Sequence, residues 1–207
     1  MPCSDEMMKI LLTAFDAFGG ETTNPASEAA KKVRAPKGVE LIRMTVPTVF
    51  GRSVRAVTEK IAEIQPDAVL CVGQAGGRSA VTPERVAINL MDASIADNEG
   101  NMPVDLPIAE KGESALFSTL PVKAITESIR KAGVPAQLSD TAGTFVCNQL
   151  LYGVLCFCRE HCPETKACFI HVPYLPEQVK DRPGVPSLPL GQMVAALEAA
   201  LSCIAEK

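Results

Sequence analysis

Tryptophan is absent from the 207 residues, tyrosine occurs twice, and aromatic residues make up only 4%. A chain so poor in flat rings has no row of stacking platforms for nucleic-acid bases. It also lacks a positive field for phosphates, because 20 Lys and Arg face 24 Asp and Glu, a net charge of -4. No run of 18 apolar residues occurs, so no transmembrane helix is expected. The start, Met-Pro-Cys-Ser-Asp-Glu, lacks the basic region and apolar stretch of a secretory leader. These absences together predict a cytoplasmic location. There is no internal repeat and no low-complexity segment. Histidine occurs only twice, at His161 and His171, so chemistry that needs an imidazole has two choices.

What is present is a hydrophobic content of 47%, enough to fill the core of one domain spanning 1–207. The eight cysteines are expected to be free thiols in a reducing compartment. Cys71 and Cys168 sit inside apolar runs, where cysteine behaves as a small hydrophobe.

Apolar patterning predicts strands at 9–15, 39–46, 68–72, 86–90 and 167–172, with a weak one at 136–139. Helices are predicted from Asn24-Pro25, an N-cap followed by a first-turn proline, to about Val33, and over 52–64, 122–131, 147–162 and 190–205. Segment 95–113, rich in Asn, Asp, Gly and Pro, reads as a long ordered loop, and 176–189 as a Pro-rich one. The alternation predicts an α/β fold with a mostly parallel twisted sheet.

The most informative stretch is Asp140-Thr-Ala-Gly-Thr-Phe-Val-Cys147-Asn-Gln. It places a cysteine after a Gly-containing turn, at the start of a helix. The positive end of the helix dipole is expected to lower the pKa of such a thiol. Cys147 has a plainer reading as a core cysteine, but a strand-turn-helix elbow presents its side chain at the carboxyl edge of the sheet, where ligands bind in open α/β folds. A nucleophile needs a base. His171, near the end of its strand, is the natural one, and Glu84 in Pro-Glu-Arg-Val-Ala-Ile-Asn is a third partner that would orient the imidazole. Phe15 and Phe18 flank the end of the first strand, as core residues or as pocket walls. Cys156, Cys158, His161 and Cys162 make a tempting metal cluster, but the spacing is not that of a finger or ribbon, and helix-face cysteines are the better reading. Gly73-Gln-Ala-Gly-Gly-Arg78 lacks the ending of a phosphate-binding loop and the dinucleotide fingerprint.

Several ordered segments resemble pyroglutamyl peptidase I (pyrrolidone-carboxylate peptidase), a family of cysteine peptidases. They are Leu-Leu-Thr-Ala-Phe15-Asp-Ala-Phe18-Gly-Gly, Val-Pro-Thr-Val-Phe50, Val-Gly-Gln-Ala-Gly-Gly-Arg78, Pro-Glu84-Arg-Val-Ala-Ile-Asn89, Asp-Asn-Glu-Gly100-Asn, Thr-Ala-Gly-Thr-Phe-Val-Cys147-Asn and Phe-Ile-His171-Val-Pro-Tyr-Leu-Pro-Glu-Gln. The match runs from Met8 to the last helix, and residues 1–7 read as an N-terminal extension. The resemblance implies an α/β/α sandwich, a homotetramer, no metal or cofactor, and removal of an N-terminal pyroglutamyl residue from peptides. It implies Cys147 as nucleophile, His171 as general base and then acid, and Glu84 as the residue that orients it. It implies pocket walls at Phe15, Phe18, Phe145 and Val146, with Gln74 and Asn24 near the lactam amide. One departure stands out. Ser94 occupies the position of an arginine associated in the family with the oxyanion region, which also uses the Cys147 backbone N–H. From that departure follows an alternative expectation, a weakened relative that binds pyroglutamyl peptides. Ala14 and Ala17 replace a Gly and a Pro, a milder change.

Overall fold

The computed structural model describes residues 7–206; apart from Met7, the N-terminal extension lies outside them. The chain opens with strand β1 (Met8–Phe15), whose last six residues are buried. Helix α1 (Pro25–Lys32) begins as its sequence predicts: Asn24 Oδ1 accepts the Ala26 N–H and Pro25 occupies the first turn. Strand β2 (Val39–Val46), helix α2 (Arg52–Ile64) and strand β3 (Ala68–Gln74) follow. Beyond them lie short strands β4 (Thr82–Glu84), β5 (Val86–Ile88) and β6 (Ala115–Phe117), then helices α3 (Val122–Lys131) and α4 (Val146–His161). Strand β7 (Lys166–Val172) and helix α5 (Leu190–Ala205) complete the chain.

The main sheet has the order β2-β1-β3-β7-β4. Its first four strands are parallel, and β4 adds to the edge in the antiparallel sense. Helices α1, α3 and α5 bury their apolar stripes on one face, through Ala26, Ile125, Ile129, Met193 and Leu197 among others. Helices α2 and α4 cover the other face through Val57, Ile61, Leu150, Leu151 and Val154. The result is a three-layer α/β/α arrangement. Strands buried on both faces explain the near-continuous apolar runs of β1, β3 and β7.

Two differences from the sequence reading matter for the site. Strand β3 continues past Val72 to Gln74, because Gly73 pairs with His171 and Gln74 with Val172 on β7. Segment 136–139 is no strand of its own; it contributes only isolated bridges, Val81 to Ala136 and Glu84 to Ser139. Phe15, Gln74 and His171 thus end up together at the carboxyl edge of three neighbouring parallel strands, where the helix dipoles and loops of open α/β folds converge.

Candidate active site

A cavity of about 280 Å³ opens at this edge. Phe15, Phe18, Phe145 and Gln74 line it together with Cys147 and His171. Cys147 lies in the first turn of α4. The turn ahead of it passes through Gly143, whose φ of 76° is a left-handed conformation that favours glycine, and Gly143 itself lines the cavity. On the opposite side, a Cβ on Gly73 would lie 3.0 Å from Cys147 Sγ and 2.8 Å from Phe169 Cζ. The strand backbone therefore packs directly against the sulfur, and only glycine leaves it room.

His171 and Glu84 meet across the β4–β7 edge. His171 is 4% exposed and Glu84 is fully buried. His171 Nδ1 and Glu84 Oε1 are 2.7 Å apart. Phe169 supports the imidazole from below, with ring centroids 4.6 Å apart. Arg78 Nη1 donates to Glu84 Oε1 at 2.5 Å, and its Nη2 donates to the Thr141 carbonyl at 2.9 Å. Arg78 also lines the cavity. The sequence reading gave Arg78 no role, although a lone arginine after a Gly-rich turn was the available signal.

The electrostatics correct one expectation. Cys147 lies in the first turn of a helix, yet burial pushes its thiol up to about 12. The Glu84 carboxylate and the Cys71 thiol add to that rise, and Arg78 opposes it. Cys147 is only half-buried, so the cavity reaches its sulfur, but the packed surroundings still remove enough water to raise its pKa. For His171, burial lowers the pKa below 6.5, the Glu84 hydrogen bond and charge raise it, and Arg78 lowers it. Both environments favour the neutral form of their group, a thiol at Cys147 and an imidazole at His171.

The other expected residues take varied places. Asn24 lines the cavity, but its amide is largely occupied: Oδ1 caps α1 and Nδ2 donates to the Asp16 carbonyl at 2.9 Å. Val146 does not line it. As the first residue of α4 its side chain turns into the core under the helix, with no exposure. Ser94 is exposed and is not among the lining residues. Thr48, a lining residue that was not anticipated, is held by Asp16, whose Oδ1 accepts its backbone N–H at 2.8 Å and its hydroxyl at 2.7 Å. Of the metal-cluster candidates, Cys158 is buried in the core and His161 is exposed, packed on Phe157. Among the described residues no group of three or more His, Cys, Asp or Glu could hold a metal ion. Cys71, Cys147, Cys156, Cys158, Cys162 and Cys168 are free thiols. Among the described residues no helix is long and apolar enough to cross a membrane.

Residues 8–207 match the family model for pyroglutamyl peptidases. The chain belongs to the pyroglutamyl peptidase family. It is 53% identical over 201 residues to the pyrrolidone-carboxylate peptidase of Thermoanaerobacter sp. (strain X514), covering 97% of this chain and 99% of the relative. The pyrrolidone-carboxylate peptidase of Streptococcus suis (strain 05ZYH33) is 52% identical over 200 residues, with 96% and 93% covered. The crystal structure of pyroglutamyl peptidase I from Bacillus amyloliquefaciens matches with a TM-score of 0.93 at 47% identity, covering 97% of this chain and 96% of that one. A mutant pyrrolidone carboxyl peptidase from the hyperthermophile Pyrococcus furiosus matches with a TM-score of 0.90 at 38% identity, with 96% and 99% covered. The family is one of cysteine peptidases that remove N-terminal pyroglutamate. A binding-only relative, suggested by Ser94, finds no support in these likenesses.

Proposed function

We propose that this protein hydrolyses the bond after an N-terminal pyroglutamyl residue, with Cys147 as nucleophile, His171 as acid and base, and Glu84 as the group that orients His171. The observation that carries this reading is the pairing of a fully buried carboxylate with the imidazole at 2.7 Å, on the wall of the cavity that also exposes the thiol.

The pyroglutamyl ring is small and largely apolar, with one N–H and one C=O. Phe15, Phe18 and Phe145 offer it aromatic walls, and Gln74 offers an amide to its polar edge. An ordinary charged N-terminus would be left as an ammonium among aromatic rings, and burying an unpaired charge is costly. His171 takes the Cys147 proton, and the sulfur forms a bond to the scissile carbonyl carbon. The carbonyl π pair moves to oxygen, and backbone N–H groups in the first turn of α4, Cys147's among them, are the donors we assign to that oxyanion. Collapse of the intermediate breaks the C–N bond as His171 returns its proton to the leaving amine. Water, deprotonated by His171, then releases pyroglutamate and restores the thiol.

We further propose a homotetramer in the cytoplasm. The family resemblance supports the assembly, and free thiols at Cys147, Cys156 and Cys162 suit a reducing compartment. Light scattering of the eluting protein tests the first, and cell fractionation the second.

Release of a fluorogenic amine from its pyroglutamyl amide, in reductant, tests the activity. Turnover is expected for the wild type and not for Cys147→Ala, and the matching prolyl amide is expected to be a poor substrate. Turnover that persists in Cys147→Ala would overturn the assignment.

A further inference from the structure

Gln178 lies outside the cavity wall, in a short 3₁₀ turn, Pro176–Gln178, that follows the His171 strand. Its carboxamide bridges two groups. The Leu175 backbone N–H, which can only donate, donates to Gln178 Oε1 at 2.9 Å. This contact settles which branch of the amide is oxygen. The other branch, Nε2, therefore faces Gln74 and donates to Gln74 Oε1 at 3.0 Å. Gln74 lines the cavity, and with its oxygen held by Gln178 its NH₂ group is the branch left for a ligand. An unambiguous backbone donor thus sets, through two amides in series, the sign of a hydrogen-bonding group on the pocket wall.

We infer that Gln178 is a positioning residue that fixes the hydrogen-bond polarity of the pocket: through Gln74 it presents a donor, so the pocket selects a ring carrying an acceptor, the lactam carbonyl, over a ring carrying a donor at the same place. The inference rests on the proposed reading of the cavity as the pyroglutamyl site. It assigns specificity to a side chain that touches no substrate. Free to rotate, Gln74 could turn either branch to the ligand and would lose much of its power to discriminate. Rejection is strong where a buried polar group is left facing one of its own kind.

The test uses two small rings as competitive inhibitors of pyroglutamyl-amide hydrolysis. 2-Pyrrolidone carries the lactam carbonyl. 2-Iminopyrrolidine, protonated at neutral pH, carries N–H donors in its place. The wild type is expected to favour 2-pyrrolidone by about 10-fold or more, the size of one mismatched polar contact. In Gln178→Glu the new carboxylate can only accept. It keeps the Leu175 bond and forces Gln74 to donate to it, which turns Gln74 Oε1 to the cavity. The preference between the rings is expected to reverse. KM for the substrate is expected to rise about 10-fold with kcat within about twofold, the split that follows from weakened uniform binding. Gln178→Leu releases Gln74, so the preference is expected to shrink without reversing. The carboxylate introduced by Gln178→Glu by itself also attracts the cationic ring, so the uncharged Gln178→Leu variant decides: a merely structural role for Gln178 would lower its stability and leave its preference alone. A folded Gln178→Glu protein with the wild-type preference would overturn the inference, and so would an unchanged preference in Gln178→Leu. A wild type that 2-pyrrolidone does not inhibit would instead overturn the reading of the cavity.

Discussion

Glu84 Oε1 lies 2.7 Å from His171 Nδ1, and Arg78 Nη1 lies 2.5 Å from the same oxygen. One buried carboxylate oxygen therefore serves two partners. Because the carboxylate accepts, Nδ1 carries the proton and Nε2 is left unprotonated, the form in which the proposed mechanism uses it. This arrangement fixes the imidazole's tautomer before any substrate arrives.

The pH dependence follows from the two titrating groups. In the proposed mechanism His171 must be unprotonated in the free enzyme to take the Cys147 proton, and burial holds its pKa below 6.5. Acidification through that lower pKa therefore removes activity, while the range above 6.5 leaves His171 competent. The thiol, pushed up to about 12, loses no proton on its own across the ordinary assay range. A profile of kcat/KM is expected to show an acid limb below pH 6.5 and no alkaline limb from Cys147. An acid limb centred well above 6.5 would contradict this assignment.

Arg78→Met tests the other partner. Among the described residues Glu84 Oε2 has no hydrogen-bond partner, so removing the guanidinium leaves a fully buried carboxylate side chain with His171 as its one remaining partner there. Breaking a buried pair in this way costs about 3 kcal/mol or more. The urea midpoint is expected to fall accordingly. Arg78 also lowers the His171 pKa, so its loss is expected to move the acid limb of kcat/KM to higher pH. An unchanged midpoint with an unmoved limb would show that Arg78 is a bystander.

Much of this was legible in the sequence, and the parts that were not share a physical cause. Strand β2 and helices α2, α3 and α5 have the bounds that periodicity predicts, because each carries its signal within its own residues. Cys147 stood out through its turn, and His171 through the scarcity of histidine. Strand β4 was missed: three residues with a central proline carry no local signal, and the strand exists only because β7, some 87 residues away, offers it an edge. Helix-start logic gave the right place for Cys147 but the opposite direction for its pKa, since burial by distant residues raises it. The Gln178–Gln74 contact spans 104 residues and leaves no trace in spacing.

Gly73→Ala probes the close approach behind the thiol. The added methyl would sit 2.8 Å from the buried Phe169 ring and 3.0 Å from Cys147 Sγ. Neither neighbour is a flexible chain end, so the backbone or the sulfur must move. Overpacking of this kind costs about 1–3 kcal/mol. Because the displaced atom is the proposed nucleophile, kcat is expected to fall by about 10²-fold, in line with the cost of a misplaced reacting group. A crystal structure of the variant with Sγ in place, or an unaltered kcat, would show that the gap is not needed.

Asp97 connects the long loop to the cavity wall. Its Oδ2 accepts the Phe50 backbone N–H at 2.8 Å, and its Oδ1 accepts the backbone N–H groups of Glu99 and Asn101 at 2.9 Å each. The Phe50 ring stands edge-on to Phe145, with centroids 5.2 Å apart, and Phe145 lines the cavity. Burial would raise the Asp97 pKa, but the Asn101 side chain and the backbone donors outweigh it and hold it below 3.8. The sign is that of a depressed carboxylate: the stabilisation is full above about pH 4 and is lost as pH falls through the folded value. Asp97→Ala leaves several donors without an acceptor at a cost of about 2 kcal/mol. It is expected to loosen Phe50, and with it Phe145, so that KM rises severalfold while kcat holds, and the loss of stability is the same at pH 6 and pH 8. A kcat that falls with unchanged KM would place the effect of Asp97 on the reacting groups and not on the aromatic wall.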